Sequence, residues 1–324
     1  MLALILDGQT AVNSAREGIR ICLQTVIPAL FPFFLLSPIL TGVLWDATPN
    51  IFKKIGKLCK IPEGCESLFL IGLLSGYPIG AQLISQAYQN GKISTTTAHR
   101  MMGFCNNAGP AFIFGMLSSL FTNSFVPWVL WSIHILSAIL VGIILPGKRE
   151  IVEGVQEQEK SISITEILQN TIKTMATVCG WVLIFRVILG FFNKWVFCFL
   201  PDELQIVFAG FMELANGCVA LNTFSNEYLR FVLASVFLSF GGLCVGMQTA
   251  SVAKNPGLGM YFPGKVLQTL FSFTLSYLIS PVLYPQKTKT MQLLIVIFLL
   301  IMVMTIAIKI VQEKSCSFWK RNVV

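Results

Sequence analysis

From residue 101 to residue 147 the chain carries no Asp, Glu, Lys or Arg. Further charge-free runs occupy 21–45, 67–91, 231–253, 266–286 and 290–308. A helix needs roughly 20 apolar residues to cross a bilayer, and each of these runs approaches or exceeds that length. The expectation is an all-α polytopic membrane protein with roughly 6–9 membrane segments. Composition agrees: 12% of residues are charged, against about 25% in soluble domains.

The net charge of +8 is concentrated at 53–60 and 309–321. Clusters beside apolar runs suit an anionic lipid surface rather than nucleic acid. The expected partners are therefore the bilayer and a small-molecule substrate, with no nucleic acid. The opening MLALILDGQT lacks the basic n-region and small-residue cleavage site of a signal peptide. Nine cysteines are scattered singly with no CxxC spacing, and read as small hydrophobes or free thiols. His99 and His134 are the only histidines, and there is no P-loop, HExxH or GxSxG. No catalytic residue, metal site or cofactor is expected.

One long stretch mixes charges: GKREIVEGVQEQEKSIS, 147–163. It reads as a linker between two membrane halves, 1–146 and 164–312, followed by a basic tail at 313–324. The halves overlay coarsely, 18–36 on 171–189 and SGYPIGAQLIS (75–85) on GGLCVGMQTAS (241–251). Gly80 then falls on Gly246 and Gln82 on Gln248, while 101–121 and 125–146 fall on 266–284 and 290–312. Duplicated halves are a common way to build a transporter, with the site at their interface.

The segment NIFKKIGKLCKI (50–61) places Ile51, Phe52, Ile55, Leu58 and Cys59 on one helical face and its lysines on the other. It reads as an interfacial helix on the cytoplasmic leaflet. If 67–91 enters and returns at its Gly-Tyr-Pro break, Lys92 and Arg100 stay on that side too. Each half then has an odd number of crossings, and the repeats are inverted. The tail cations Lys309, Lys314, Lys320 and Arg321 would lie outside, against the positive-inside rule.

Two interruptions carry polar chemistry. In SGYPIGAQ (75–82), Gly76, Pro78 and Gly80 free backbone groups that hydrocarbon cannot satisfy, and half-helix ends aim their dipoles at the gap. The alternative is a kink that improves packing. In CNNAGP (105–110), Asn106 and Asn107 would point about 100° apart on a continuous helix. The Gly109-Pro110 break allows both amides to converge on a ligand, or each to satisfy the groups its own break frees. Gln82 and Gln248 suggest a second, pseudo-symmetric amide pair. Arg186 and Glu213 are ionisable groups inside apolar runs. They read as an ion pair with each other, or as an anion counter-charge and a coupling-ion site. His134 reads as a satisfied buried imidazole or a proton relay.

SGYPIGAQLISQAYQNGKISTTTAHRMMGFCNNAGPAFIFGM (75–116) resembles the sporulation integral membrane proteins of the YlbJ type, which contain the nucleoside-recognition Gate domain. VIPALFPFFLLSPIL (26–40), ELANG (213–217) and FGGLCVGMQ (240–248) extend the resemblance over roughly 15–284. It implies two Gate-like repeats and a transporter of endospore-forming Firmicutes, in the cell membrane or the outer forespore membrane. Its implied role is moving dipicolinate towards the forespore. The implied site residues are Ser75, Gly76, Tyr77, Pro78, Gly80, Asn106, Asn107, Gly109 and Pro110, with Gly241, Gly242 and Gln248 from the second half. A nucleoside or other carboxylate as cargo, an iron pathway, and a non-transporting role in spore assembly stay open, as does the coupling ion.

Overall fold

The computed structural model describes residues 2–46, 48–150 and 163–284. Most of the 147–163 linker, the 290–308 run and the 313–324 tail lie outside them. The chain divides into two units, Met1–Ser276 and Tyr277–Val324. Of the second, residues 277–284 are described; there Ser280 Oγ donates to the Tyr277 carbonyl within one helix.

All described regular structure is helical. Helix α1 (Leu2–Leu6) leads to α2 (Gly8–Ile21), which passes through a π turn into α3 (Ile27–Asp46). The short α4 (Asn50–Leu58) precedes α5 (Glu66–Ser75), α6 (Ile79–Gln89) and α7 (Thr95–Met102). After an interruption at 103–109, α8 (Pro110–Phe112) continues through a π turn, and α9 (Val126–Ile144) follows. The second half runs α10 (Ile164–Trp195), α11 (Asp202–Met212), α12 (Leu214–Ala220), α13 (Glu227–Phe240), α14 (Gly242–Val252) and α15 (Tyr261–Leu283). Five described stretches are long and apolar enough to cross a bilayer: Gly8–Leu40, Val126–Ile144, Ile164–Trp195, Glu227–Val252 and Tyr261–Leu283.

Polar contacts show which helix ends lie together. At one end Arg149 meets the Glu66 carboxylate at 2.8 Å, and Ser94 donates to Glu150. Arg100, only 3% exposed, donates to the carbonyls of Cys59, Lys60, Gly142 and Leu145. A guanidinium with five donors can satisfy several helix-terminal carbonyls at once and complement their negative dipole ends. Arg100 thus fastens α4 to the end of α9. Around it the expected interfacial helix α4 exposes Lys53, Lys54 and Lys57, together with Ile51 and Leu58. At the opposite end Lys194 pairs with Asp7 at 2.6 Å, and the Thr122 backbone N–H and hydroxyl donate to Glu227.

These anchors define two hairpins. Helices α5 and α6 pack on each other and both meet the basic end, so 67–91 forms a hairpin with its turn at 76–78 in the interior. Helices α11 and α12 enter from the opposite end: α11 follows the end of α10, and Arg230 donates to the Phe224 carbonyl just after α12. Their break falls at Glu213, whose side chain accepts from the Ala215 and Asn216 backbone N–H groups and caps α12.

The run 231–253 behaves differently. Helices α13 and α14 are broken at Gly241 and Gly242, both at positive φ, yet the chain crosses rather than returns, because α14 ends beside Ser85 and His99 of the basic end. The overlay of 75–85 on 241–251 therefore pairs a hairpin with a crossing and is corrected. A glycine-proline interruption frees the backbone but does not say whether the chain reverses, and the second hairpin turns without proline.

Each hairpin tip packs on the break of the following crossing. A Cβ at Gly72 would lie 2.0 Å from the Cys105 carbonyl oxygen, and one at Gly80 2.3 Å from it. A Cβ at Gly242 would meet the Leu214 backbone N at 3.1 Å. Gly80→Ala is therefore expected to cost about 1–3 kcal/mol through overpacking, read as a lower melting temperature in detergent. Gly180→Ala, where nothing lies within 4 Å, should leave the melting temperature unchanged or raise it slightly.

Candidate functional site

Among the described residues, cavities lie at three levels along the seam where α2 and α3 pack against α10. Toward the end away from the lysines, a cavity of about 690 Å³ is bounded by Glu17, Arg186, Asp202 and Asn216. At the centre a cavity of about 50 Å³ is bounded by Tyr77, Gly109, Glu213 and Gln248. Toward the basic end a cavity of about 150 Å³ is bounded by Ser37, Gln82, Gln86 and Thr171. Helix α10 contributes to all three. One hairpin lines each end cavity, and both tips reach the middle one.

Beside the central cavity lies a polar cluster that unites the halves. Lys265, fully buried on α15, donates to Gln268 Oε1 at 2.7 Å, Tyr77 Oη at 3.2 Å and Asn107 Oδ1 at 3.4 Å. Its ammonium lies 5.0 Å from the Tyr77 ring centroid, within cation–π range. Gln268 Nε2 donates to Asn107 Oδ1 at 3.0 Å, and Tyr77 Oη donates to the Leu238 carbonyl. His134 Nε2 accepts from the Ala108 N–H at 3.1 Å, which places its proton on Nδ1 toward Ser239. Every acceptor around Lys265 is neutral. Among the described residues no carboxylate lies within ion-pair distance of it.

The two asparagines do not converge. Asn106 accepts from the Ala81 N–H and donates to Thr249 Oγ1 at 2.9 Å, joining α6 to α14. Asn107 donates to the Phe104 carbonyl and accepts from Lys265 and Gln268 of α15. The break turns them to opposite sides because each is drawn to a different donor. Asn106 thus satisfies part of the freed backbone, whereas Asn107 joins the charged cluster.

The remaining sequence-named residues separate. Ser75 bonds Ser37; Gly76 and Gly109 pack backbone to backbone; Pro78 precedes α6, and Pro110 opens α8. Gln82 and Gln248 line different cavities, so the expected amide pair does not form. Nor do Arg186 and Glu213 pair: Arg186 meets Glu17 at 2.9 Å, while Glu213, 2% exposed, is held by N–H groups of α12 and by Asn216 Nδ2. Gly241 packs on the Tyr77 ring, and Gly242 on the tip of the second hairpin.

Lys265 and Gln268 escaped the sequence reading. Lys265 borders the 266–286 run, where a lysine reads as an interfacial anchor. The available signal was their i, i+3 spacing, which puts ammonium and amide on one face of α15. That face reaches the 103–109 interruption because Gly264 abuts Gly103 with no side chain between them. Among the described residues, no group of three or more His, Cys, Asp or Glu side chains is placed to hold a metal ion.

Helices of this length around buried polar breaks define an all-helical, polytopic integral membrane protein in contact with the lipid bilayer. The chain is similar to the sporulation integral membrane protein YlbJ of Bacillus subtilis (strain 168), with 23% identity over 335 aligned residues. The alignment covers 87% of this chain and 80% of that relative, so the resemblance carried by residues 75–116 extends over almost the whole length. No family model matches the chain, and no solved structure matches it.

Asn107→Ala removes the acceptor shared by Lys265 and Gln268 and leaves buried donors unmet. It is expected to destabilise by about 1–3 kcal/mol, measured by thermal unfolding in detergent. Arg186→Gln, at a partly exposed pair, should cost about 1 kcal/mol or less.

Proposed function

We propose that this chain carries a small anionic metabolite across a membrane of the sporulating cell, and that it is a carrier rather than an enzyme. The observation that carries this reading is Lys265. A buried, unpaired charge within the membrane is costly to keep and marks a substrate or ion pathway by default. A cation held only by neutral acceptors is poised to exchange an amide for a carboxylate, since charge-assisted hydrogen bonds are roughly twice as strong as neutral ones.

Transport rather than static assembly is supported by the hairpins and the cavities. Two hairpins entering from opposite ends are what inverted Gate-like repeats would provide, with binding near the bilayer midplane. The 690 Å³ cavity has the size of a ligand pocket, about 300–1,000 Å³, and the centre is narrow. By the positive-inside rule α4 and the linker are cytoplasmic, so the wide cavity faces the other side. The structure is thus read as an outward-facing form, and alternating access would open the basic-end cavity in turn. Dipicolinate is the favoured cargo: the resemblance implies it, the relative is a sporulation protein by name, and its two carboxylates suit Lys265. The outer forespore membrane is the favoured location.

The test is uptake of radiolabelled dipicolinate into proteoliposomes, with nucleosides as competitors. Lys265→Gln should lower uptake at least about tenfold, the loss of one buried charge pair, while Lys265→Arg retains part of it. Full uptake by Lys265→Gln would refute the counter-charge role. Competition by a nucleoside but not by other dicarboxylates would reassign the cargo.

A further inference from the structure

We infer that the central cavity is a site for a small, hard, monovalent cation such as sodium, held by the Glu213 carboxylate and the Gln248 amide oxygen; this deepens the carrier reading and rests on it for its role in transport. Both residues line the same cavity of about 50 Å³. A water molecule needs roughly 10–15 Å³ of such space, so a partly hydrated ion fits there, whereas an aromatic metabolite does not.

The two side chains offer unmatched acceptors. Glu213 is 2% exposed and has no cation within ion-pair distance among the described residues. Its oxygens accept three N–H donors, from the Ala215 and Asn216 backbone and from Asn216 Nδ2. Of about four lone-pair positions, these donors leave one for a further ligand. Gln248 is 4% exposed; its Nε2 donates to Cys244 Sγ at 3.4 Å, and its Oε1 has no hydrogen-bond partner among the described residues. A carboxylate and a carbonyl oxygen are hard ligands, suited to alkali and alkaline-earth ions rather than thiophilic metals. One carboxylate without an ion-pair partner among the described residues matches one positive charge, which favours a monovalent ion.

Access comes from the wide cavity. Asn216 lines that cavity and donates to Glu213 Oε2 at 2.6 Å, so it stands between the open side and the site. On the other side Tyr77 lines the central cavity and accepts from Lys265. Cation and anion sites thus share one wall, and filling the first would offset the charge of a carboxylate arriving at the second.

Two measurements test the site separately from the carrier reading. In detergent, at constant ionic strength, the melting temperature should rise with sodium but not with choline. Gln248→Leu leaves the α12 cap intact and should weaken the apparent sodium affinity at least about tenfold. Equal melting temperatures in sodium and choline, or an unchanged sodium response in Gln248→Leu, would overturn the site. In proteoliposomes, dipicolinate uptake should require a sodium gradient; uptake that follows a proton gradient without sodium refutes the cation site and leaves the carrier standing. A sodium-dependent melting shift without dipicolinate flux would instead support the site and remove the carrier.

Discussion

Backbone amides have no water to bond in hydrocarbon, and each one left unmet costs several kcal/mol. The interior of this protein is arranged around that constraint. Its described residues contain two helical hairpins and two further helix breaks, each with freed N–H and C=O groups at depth. The breaks meet one another: Gly72 and Gly80 admit the Cys105 carbonyl, Asn106 takes the Ala81 N–H, and Glu213 caps α12 while Gly242 admits its tip. Close approach of main chains, made available by missing side chains, replaces the solvent.

The same arrangement leaves two isolated charges near the middle. Lys265 is surrounded by neutral oxygens, and Glu213 by N–H groups. Each is solvated by fixed dipoles, and among the described residues neither has a salt-bridge partner. Arg186, which could have neutralised Glu213, is engaged by Glu17 instead. Charges held this way interact with a bound ion more strongly than they would in water, because the surrounding dielectric is low. Their position between cavities that share α10 joins the packing of the breaks to the proposed traffic of ions.

Several elements were legible in the chain. Charge-free runs marked the membrane helices, the lysine face marked α4, and Gly-Tyr-Pro marked a hairpin turn. The second hairpin was not legible, because ELANG breaks its helix with a capping carboxylate, whereas Gly241-Gly242 resembles a turn and yet lies in a crossing. Asn106 and Asn107 were recognisable as polar groups at a helix break, but their divergence was not, since each side chain follows a donor that is distant in sequence. Gln82 and Gln248 looked equivalent under an overlay that the helix directions do not support.

By itself the sequence determined the class: the length and apolarity of its runs admit only a helical membrane protein, and its glycines, prolines and asparagines mark where helices stop. Those are local properties, set by transfer free energy and backbone geometry. Only the tertiary structure decided which breaks face each other, that Lys265 and Gln268 lie at the centre, and that Glu213 has no ion-pair partner among the described residues. Burial and pairing of a charge depend on residues more than a hundred positions away, and no local pattern encodes them.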